Sequence, residues 1–287
     1  MIIHDPIDKY FDEINDLRIT SSGLLRASSC KVSKKGVNDQ RILVGLSVHP
    51  IGEDNIKDVR RLIDKFEFDK KHASFFEDII RDYVHDKKIL SFKTDLGDVK
   101  VENYSLGAVG LGVDLEAQES KIYVGIPIKE KAAGGVNCVY RSMEIDKEGN
   151  SLHKLYLEYQ GKDISDSLKL ICSENVCELW TKLLLPLAGK RSNLRYYSKE
   201  DNFDSIKKLS GIDISLDRKI KYLHSTLYKM CESLIDDKES LNKFDEFLTK
   251  NSEKDCIWIG ISNKNDDLAF CIYYFDPKHY KYRRIRV

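Results

Sequence analysis

One nine-residue stretch, KIYVGIPIK, restricts the fold of this chain more than any other. Its side chains alternate: four aliphatic residues share one face and five polar, small or aromatic residues share the other, over the range Lys121–Lys129. A period of two is typical of a β-strand that buries one face and leaves the other polar. Because Pro127 cannot donate a ladder hydrogen bond, we expect a bulge or an unpaired end there.

The same alternation recurs along the chain. It predicts strands over Leu24–Ser33, Gln40–His49, part of Asp98–Leu115, Leu152–Gln160, Leu194–Ser198, Cys256–Asn263 and Leu268–Phe275. Helical spacing predicts helices over Asp5–Leu17, Asn55–Phe66, Ala73–Val84, Val136–Ile145, Glu174–Leu185, Asp201–Lys208, Leu216–Asp236 and Glu239–Asn251. Because hairpins of strands lie between helices, the pairing is expected to be antiparallel.

The second face of these strands carries tyrosine, tryptophan and phenylalanine as well as charged residues. A flat sheet would expose these rings to water, whereas a closed barrel gives them a shared lumen and removes the sheet edges. We therefore predict an α+β fold: an antiparallel barrel of roughly ten strands, ringed by helices. No low-complexity linker divides residues 1–287, which predicts a single domain.

Composition excludes several classes of function. The chain has 47 basic and 47 acidic residues, and this balance argues against nucleic acid as the main partner. No apolar run is long enough to span a membrane, and the acidic N-terminus lacks a secretion signal. Seven cysteines without a CxxC pair and histidines without metal-ligand spacing predict free thiols and no metal site. We expect a cytoplasmic monomer.

Basic and phenolic residues pair along the polar strand faces. The pairs are Lys121 with Tyr123, Lys154 with Tyr156 and Arg195 with Tyr197; Tyr273 follows Cys271, and Arg41 and Lys31 add charge from the first hairpin. Such pairs also occur on solvated sheet faces. If they instead converge in a lumen, the cations would bind a polyanion such as a diphosphate, and the rings would hold a cation by their faces. A reaction in which a diphosphate leaves and an allylic carbocation forms requires both the basic residues and the aromatic rings. That reaction is prenyl transfer.

Several segments resemble one family. They are RASSCKV with Arg41 beyond it, GLGVDLEAQESKIYVGIPIK, LYLEYQ, LRYY, CIWIG and CIYYF, and they span nearly the whole chain in the family's order. In these segments the chain resembles the ABBA prenyltransferases, and most of all the cyanobactin peptide prenyltransferases of the TruF, LynF and PatF group. The resemblance implies a ten-stranded antiparallel barrel ringed by helices.

The resemblance also implies roles for individual residues. The donor would be dimethylallyl diphosphate, its diphosphate held by Arg41, Lys121, Lys154 and Arg195 and its cation shielded by Tyr123, Tyr156, Tyr197 and Tyr273. Trp258 faces the predicted lumen, where it would stack on donor or acceptor or simply pack. The DDxxD metal motif is absent here as in the family, so a magnesium ion would be bound by the diphosphate more than by the protein.

One position departs from the family. A glutamate thought to polarise the acceptor commonly stands three residues before the Cys-Lys of the first strand, and here that residue is Ala27. Asp114 and Glu158 are the predicted lumen carboxylates that remain. Either would deprotonate an acceptor or hold a cationic one such as a guanidinium; alternatively, Asp114 is a surface acid and Glu158 a partner of a lumen lysine.

These inferences leave several functions open. The first is prenyl transfer from the diphosphate to a side chain of a ribosomal peptide, linear or macrocyclic. The second is prenylation of a small aromatic molecule. The third is a barrel that binds a hydrophobic anion without reacting it, and the fourth is a structural member without affinity for diphosphate.

Overall fold

The computed structural model describes residues 24–47, 53–66, 68–85, 90–94, 97–101, 107–127, 136–160, 164–189, 191–198, 209–264 and 267–275. Two predicted helices, Asp5–Leu17 and Asp201–Lys208, lie outside these residues. Among the described helices, none combines the length and the apolar character that crossing a membrane requires.

Ten strands form a closed antiparallel barrel, as the alternation predicted. Within the described residues, the strands are β1 (Leu24–Ser33), β2 (Gly36–Ser47), β3 (Leu90–Thr94), β4 (Gly97–Val101), β5 (Ala108–Asp114), β6 (Glu119–Pro127), β7 (Val136–Ile145), β8 (Ser151–Gln160), β9 (Arg191–Ser198), β10 (Leu209–Lys219), β11 (Asp255–Lys264) and β12 (Asp267–Phe275). Around the barrel the order is β1-β12-β11-β10-β9-β8-β7-β6-β5-β2, and β2 pairs with β1. β3 and β4 form a separate two-stranded sheet.

Helices cover the outside of the barrel. They are α1 (Glu53–Lys65), α2 (Lys70–His85), α3 (Ile164–Lys169), α4 (Glu174–Leu184), α5 (His224–Glu232) and α6 (Lys238–Lys250). Their apolar stripes form two clusters with the outward faces of the strands. One joins α1 and α2 to β2, β5, β6 and β7, and the other joins the later helices to the remaining strands and to the ends of β2, β6 and β7. In the second cluster Trp180 is fully buried, stacks edge-on against Phe270 at 5.9 Å and donates a hydrogen bond to Ser233.

The two faces of β6 show how the sequence pattern becomes a barrel wall. Ile122 and Val124 are fully buried in the cluster that α1 and α2 form, whereas Lys121 and Tyr123 line a pocket in the lumen. Burying both aliphatic side chains stabilises the wall by about 2 kcal/mol each. The strand ends at Pro127, which is still paired with Cys138 of β7.

Two predictions of secondary structure were wrong. Val136–Ile145 is not a helix but β7, paired with β6 and β8. Its outward face includes Arg141, whose guanidinium lies over the Phe75 ring at 5.7 Å, so the alternation of apolar residues is interrupted. The predicted helix Leu216–Asp236 is wrong at its start, because β10 continues to Lys219 before a 3₁₀ turn leads into α5.

Candidate active site

Four basic side chains from four strands lie in one region of the lumen. They are Arg41 of β2, Lys121 of β6, Lys154 of β8 and Arg195 of β9, with side-chain exposures of 16 %, 12 %, 6 % and 9 %. The sequence predicted that these residues converge, and the structure brings them together. Because a buried cation is costly without an anion, this group requires anionic partners.

In the structure, carboxylates supply those partners. Glu144 of β7 lies between Lys121 and Lys154 and contacts both ammonium groups, the second at 2.6 Å. Asp213 of β10 accepts a hydrogen bond from Arg195. Although burial acts in the opposite direction, Lys121 and Lys154 hold the pKa of Glu144 well below its ordinary value. The cation cluster is therefore largely neutralised in the free protein.

Asp114 is the carboxylate partner of Arg41, the basic residue of β2. It accepts hydrogen bonds from Asn38 and from the backbone of Ala117, both at 2.9 Å, and lies 2.8 Å from Nε of Arg41. It is 5 % exposed and does not lie on the surface. Because its oxygens already hold the turn between β5 and β6 and orient Arg41, we assign no proton transfer to it.

Tyrosine rings lie beside three of the four cations. The ammonium of Lys121 is 5.5 Å from the Tyr123 ring, that of Lys154 is 5.1 Å from Tyr197, and the guanidinium of Arg195 is 5.2 Å from Tyr156. The rings of Tyr123 and Tyr156 are 5.8 Å apart. Burial raises the pKa of the Tyr156 and Tyr273 phenols, so both stay neutral at physiological pH.

A cavity of about 470 Å³ opens on one side of the cation cluster, and this volume lies in the range of small-molecule sites. Its walls are largely aromatic and apolar, with Tyr123, Tyr140, Tyr156, Trp258, Tyr273 and Phe275 among them. Two charged side chains, Arg191 and Asp213, also line it. A smaller pocket of about 30 Å³ shares Tyr123 and Tyr273 with the cavity and includes Arg41, Lys121 and Glu144.

Glycines leave space in this wall. Gly110 lines the cavity, and a methyl group at this position would lie 3.4 Å from the Tyr123 ring. At Gly125 a methyl group would lie 2.8 Å from the Tyr140 ring. The position of the Tyr140 ring therefore depends on glycine at residue 125.

Trp258 lies on the cavity as predicted, with the guanidinium of Arg191 over its ring at 5.3 Å. Its neighbour Ile257 was predicted to face outward but also lines the cavity. The cause is a bulge between Cys256 and Trp258 in the pairing of β11 with β12, which interrupts the alternation.

Glu158 is buried in the lumen wall, opposite Cys138 and Asn193 of the neighbouring strands. Burial raises its pKa, and the charge of Arg191 opposes that shift. It does not line the 470 Å³ cavity in the described part of the chain. Its environment suits a proton-binding group, and it lies next to Asn193, which does line the cavity.

Ala27 occupies the position where the resembling family has a glutamate. It is fully buried and paired with Leu43, which lines the cavity. This part of the wall is therefore apolar, and an acceptor here would meet no carboxylate from β1.

Sequence reasoning missed Glu144, Asp213, Tyr140 and Arg191. Glu144 and Tyr140 were hidden because β7 was taken for a helix, and Asp213 because no strand was predicted over Leu209–Lys219. A signal was present in β10: Ile212, Ile214 and Leu216 alternate with smaller or polar residues and are buried.

Comparison with known proteins supports the fold. Neither a protein-family model nor a curated protein matches this chain. Among solved structures, 5-dimethylallyltryptophan synthase from Streptomyces coelicolor superposes with a TM-score of 0.55 at 8 % identity, over 87 % of this chain and 80 % of that one. NotF prenyltransferase gives 0.56 at 12 %, over 87 % and 80 %. PriB with product diphosphate gives 0.54 at 10 %, over 88 % and 79 %.

Three similar structures contain a prenyl donor analogue. The Streptomyces coelicolor enzyme was solved with DMASPP and tryptophan, PriB with L-tryptophan and dimethylallyl thiolodiphosphate, and NotF with brevianamide F and DMSPP. At these identities the likeness establishes the architecture, and the narrower resemblance to cyanobactin peptide prenyltransferases stays a prediction. The chain has the fold of the ABBA prenyltransferases.

Proposed function

We propose that this protein transfers a dimethylallyl group from its diphosphate to a nucleophilic acceptor. The observation that carries the proposal is the cluster of Arg41, Lys121, Lys154 and Arg195, buried beside tyrosine rings at the edge of a cavity. A diphosphate is an anion that such a cluster can bind through charge-assisted hydrogen bonds.

The same region suits the cation that forms when the diphosphate leaves. Tyr123, Tyr156 and Tyr273 line the cavity next to the basic side chains, and Tyr197 lies against Lys154. Their ring faces would stabilise an allylic cation, and their bulk would exclude water from it. Since this charge develops only in the transition state, the rings would contribute to turnover more than to binding.

Magnesium would act through the donor. Within the described chain, no three His, Cys, Asp or Glu side chains are grouped to hold a metal ion. A magnesium ion that accompanies the donor would therefore be held mainly by diphosphate oxygens.

For the acceptor we propose a side chain of a ribosomal peptide, linear or macrocyclic, on the strength of the sequence resemblance. A small aromatic acceptor is the second candidate. It is favoured by the acceptors named for the similar structures, tryptophan and brevianamide F. The aromatic cavity of about 470 Å³ accommodates either a small aromatic molecule or one side chain of a larger peptide.

The test begins with donor alone. Titration calorimetry with dimethylallyl thiolodiphosphate, which resists ionisation, should show saturable binding to the wild-type protein. Diphosphate release from dimethylallyl diphosphate should then depend on added acceptor, and mass spectrometry should detect a gain of one isoprene unit on that acceptor. Binding without release, over peptides, tryptophan and small phenols, would favour the non-catalytic carrier instead.

A further inference from the structure

Asp213 differs in position from the other two carboxylates that pair with the basic cluster. It lines the 470 Å³ cavity while its Oδ1 accepts the hydrogen bond from Arg195. Glu144 and Asp114 line the smaller pocket instead. Of these three acids, Asp213 is therefore the one that can contact both the donor site and a molecule in the cavity.

The surroundings of the Arg195–Asp213 pair are shaped to hold it. A methyl group at Gly260 would lie 2.5 Å from Oδ1 of Asp213 and 3.0 Å from Nη2 of Arg195. A methyl group at Gly211 would lie 3.3 Å from Nη1 of Arg195. Gly211 lies on β10 with Asp213 and Gly260 on the neighbouring β11, so a larger side chain at Gly260 would displace the pair.

We propose that Asp213 is the acceptor-binding carboxylate, freed when the donor diphosphate takes Arg195 from it, and that it accepts the proton of an acceptor whose nucleophilic atom carries an N–H or O–H. This rests on the proposed function. It also supplies, from β10, the carboxylate that Ala27 does not provide on β1.

The diphosphate of the donor and the carboxylate of Asp213 compete for Arg195. In the protein without donor, Arg195 pairs with the buried carboxylate of Asp213. A bound diphosphate offers Arg195 several anionic oxygens instead of that carboxylate. The carboxylate of Asp213, 6 % exposed, then lacks its partner and gains most from a hydrogen-bond donor in the cavity. Donor binding and acceptor binding are coupled in this way, and the coupling acts equally in both directions.

The chemical step balances as follows. The bond between C1 of the dimethylallyl group and the diphosphate oxygen breaks, and the electron pair leaves with the diphosphate. A lone pair of the acceptor nitrogen or oxygen forms the new bond to C1. The proton of that atom passes to Asp213, which becomes neutral and later returns it to solvent.

The charged and titratable groups around Asp213 set its proton affinity. They are Arg195 of β9, Lys154 and Tyr156 of β8, Lys121 of β6 and Tyr273 of β12. Burial raises the pKa of Asp213, whereas Arg195, Lys121 and Lys154 act to lower it. When Arg195 binds the donor diphosphate instead, the strongest of the charges that lower the pKa of Asp213 is neutralised. The carboxylate of Asp213 then becomes a better base.

The experiment compares Asp213→Asn with Glu144→Gln, a matched change at a carboxylate that pairs with the same basic cluster but faces the smaller pocket. The probes are dimethylallyl thiolodiphosphate and the N-acetyl amides of tyrosine, tryptophan and arginine. Calorimetry gives the acceptor Kd with and without the donor analogue, and acceptor-dependent diphosphate release gives kcat/KM as a function of pH.

In the wild type we expect the donor analogue to tighten acceptor binding about tenfold. Asp213→Asn should abolish that coupling, lower acceptor-dependent kcat/KM by about 100-fold or more, and remove the acidic limb of the pH profile. Its Kd for the donor analogue should be unchanged or lower. Glu144→Gln should keep both the coupling and the acidic limb.

Two results would overturn the inference while prenyl transfer stands. One is an active Asp213→Asn variant with wild-type coupling and an unchanged acidic limb. The other is loss of these features in Glu158→Gln and not in Asp213→Asn, which would assign the role to Glu158. If the wild-type protein releases no diphosphate with any probe, the proposed function fails and this inference fails with it.

Discussion

At the scale of single residues, the lumen balances buried cations against buried carboxylates. Lys121 and Lys154 share Glu144, and Arg195 is held by Asp213. This pairing orders the cluster before a ligand arrives, because an unpaired buried charge would be costly. A polyanionic ligand must therefore displace these acids, and its affinity reflects the difference between the two sets of contacts.

Replacing Lys121 by methionine should weaken donor binding. The substitution keeps the side-chain length but leaves diphosphate oxygens without one charged partner, at a cost of about 2 kcal/mol, or roughly 30-fold in Kd. Titration with dimethylallyl thiolodiphosphate measures this. The control is Lys219→Met, which removes an exposed lysine of β10 that pairs with Glu253. Equal losses in both variants would show that general charge, rather than the lumen cluster, governs binding.

Replacing Tyr156 by leucine should separate turnover from binding. The ring lies 5.8 Å from Tyr123 and beside Arg195, and leucine keeps an apolar, smaller side chain without the electron-rich face. We expect kcat to fall roughly 10- to 30-fold, equivalent to about 1–2 kcal/mol of cation–π stabilisation, with the Kd of the donor analogue within a few-fold of wild type. A loss confined to Kd would mean that the ring only positions the donor.

Lys154 should make donor binding dependent on pH. Burial, with the charges of Lys121 and Arg195, lowers the pKa of Lys154 well below its ordinary value, and a bound diphosphate would raise it again. Binding then takes up a proton, so the Kd of the donor analogue should increase as pH rises from neutrality to about pH 10. Lys154→Arg stays protonated and should show a flatter profile; an identical slope in both proteins would assign the effect to another group.

At the scale of helices and strands, a single alternating face was enough to place most of the barrel. β6, β8, β11 and β12 carry apolar residues at alternating positions over most of their length, and the structure has strands there. The pattern failed where a strand does not separate apolar from polar faces. Arg141 on the outer face of β7 packs on Phe75, and no local rule anticipates a guanidinium at a helix–barrel contact.

The cations of the candidate site were predictable, whereas of their carboxylate partners only Asp114 was predicted to face the lumen. Lys121, Lys154 and Arg195 each stand two residues before a tyrosine on predicted strands, so their convergence followed from closing the barrel. Their partners Glu144 and Asp213 lie on β7 and β10, and pairing across the barrel is set by register, which depends on every intervening strand.

Helix α2 contributes a pH-sensitive contact to the barrel. His72 is fully buried beside Phe68, with ring centroids 5.0 Å apart, and burial lowers its pKa to about 4. Between pH 4 and the ordinary pKa near 6.5, the unfolded chain binds a proton that the folded chain does not. The free energy of unfolding should therefore rise by up to about 3 kcal/mol as pH increases across this range.

Urea unfolding at several pH values measures this effect. His72→Gln cannot titrate, so the difference between wild type and variant isolates one histidine from the other ionisable groups. The stability of the wild type relative to the variant should fall as pH decreases below 6.5. A relative stability that does not change with pH would show that His72 has the same pKa in the folded and the unfolded protein.

At the scale of the whole molecule, closure of the sheet makes the site. Arg41, Lys121, Lys154 and Arg195 are far apart in sequence, and only the closed order of ten strands directs them to one lumen. The helices bury the outer aliphatic faces, which leaves the inner faces free to carry charge and aromatic rings. The architecture therefore separates residues that stabilise the barrel from residues available for chemistry.

The central claim is that side chains from separate strands bind one diphosphate inside the barrel. A crystal structure of the protein with dimethylallyl thiolodiphosphate tests it most directly. We predict the diphosphate within hydrogen-bonding distance of Lys121, Lys154 and Arg195, with the dimethylallyl group against Tyr123 and Tyr156. An analogue bound outside the lumen, or a lumen in which all three cations keep their carboxylate partners at saturating analogue, would contradict the account.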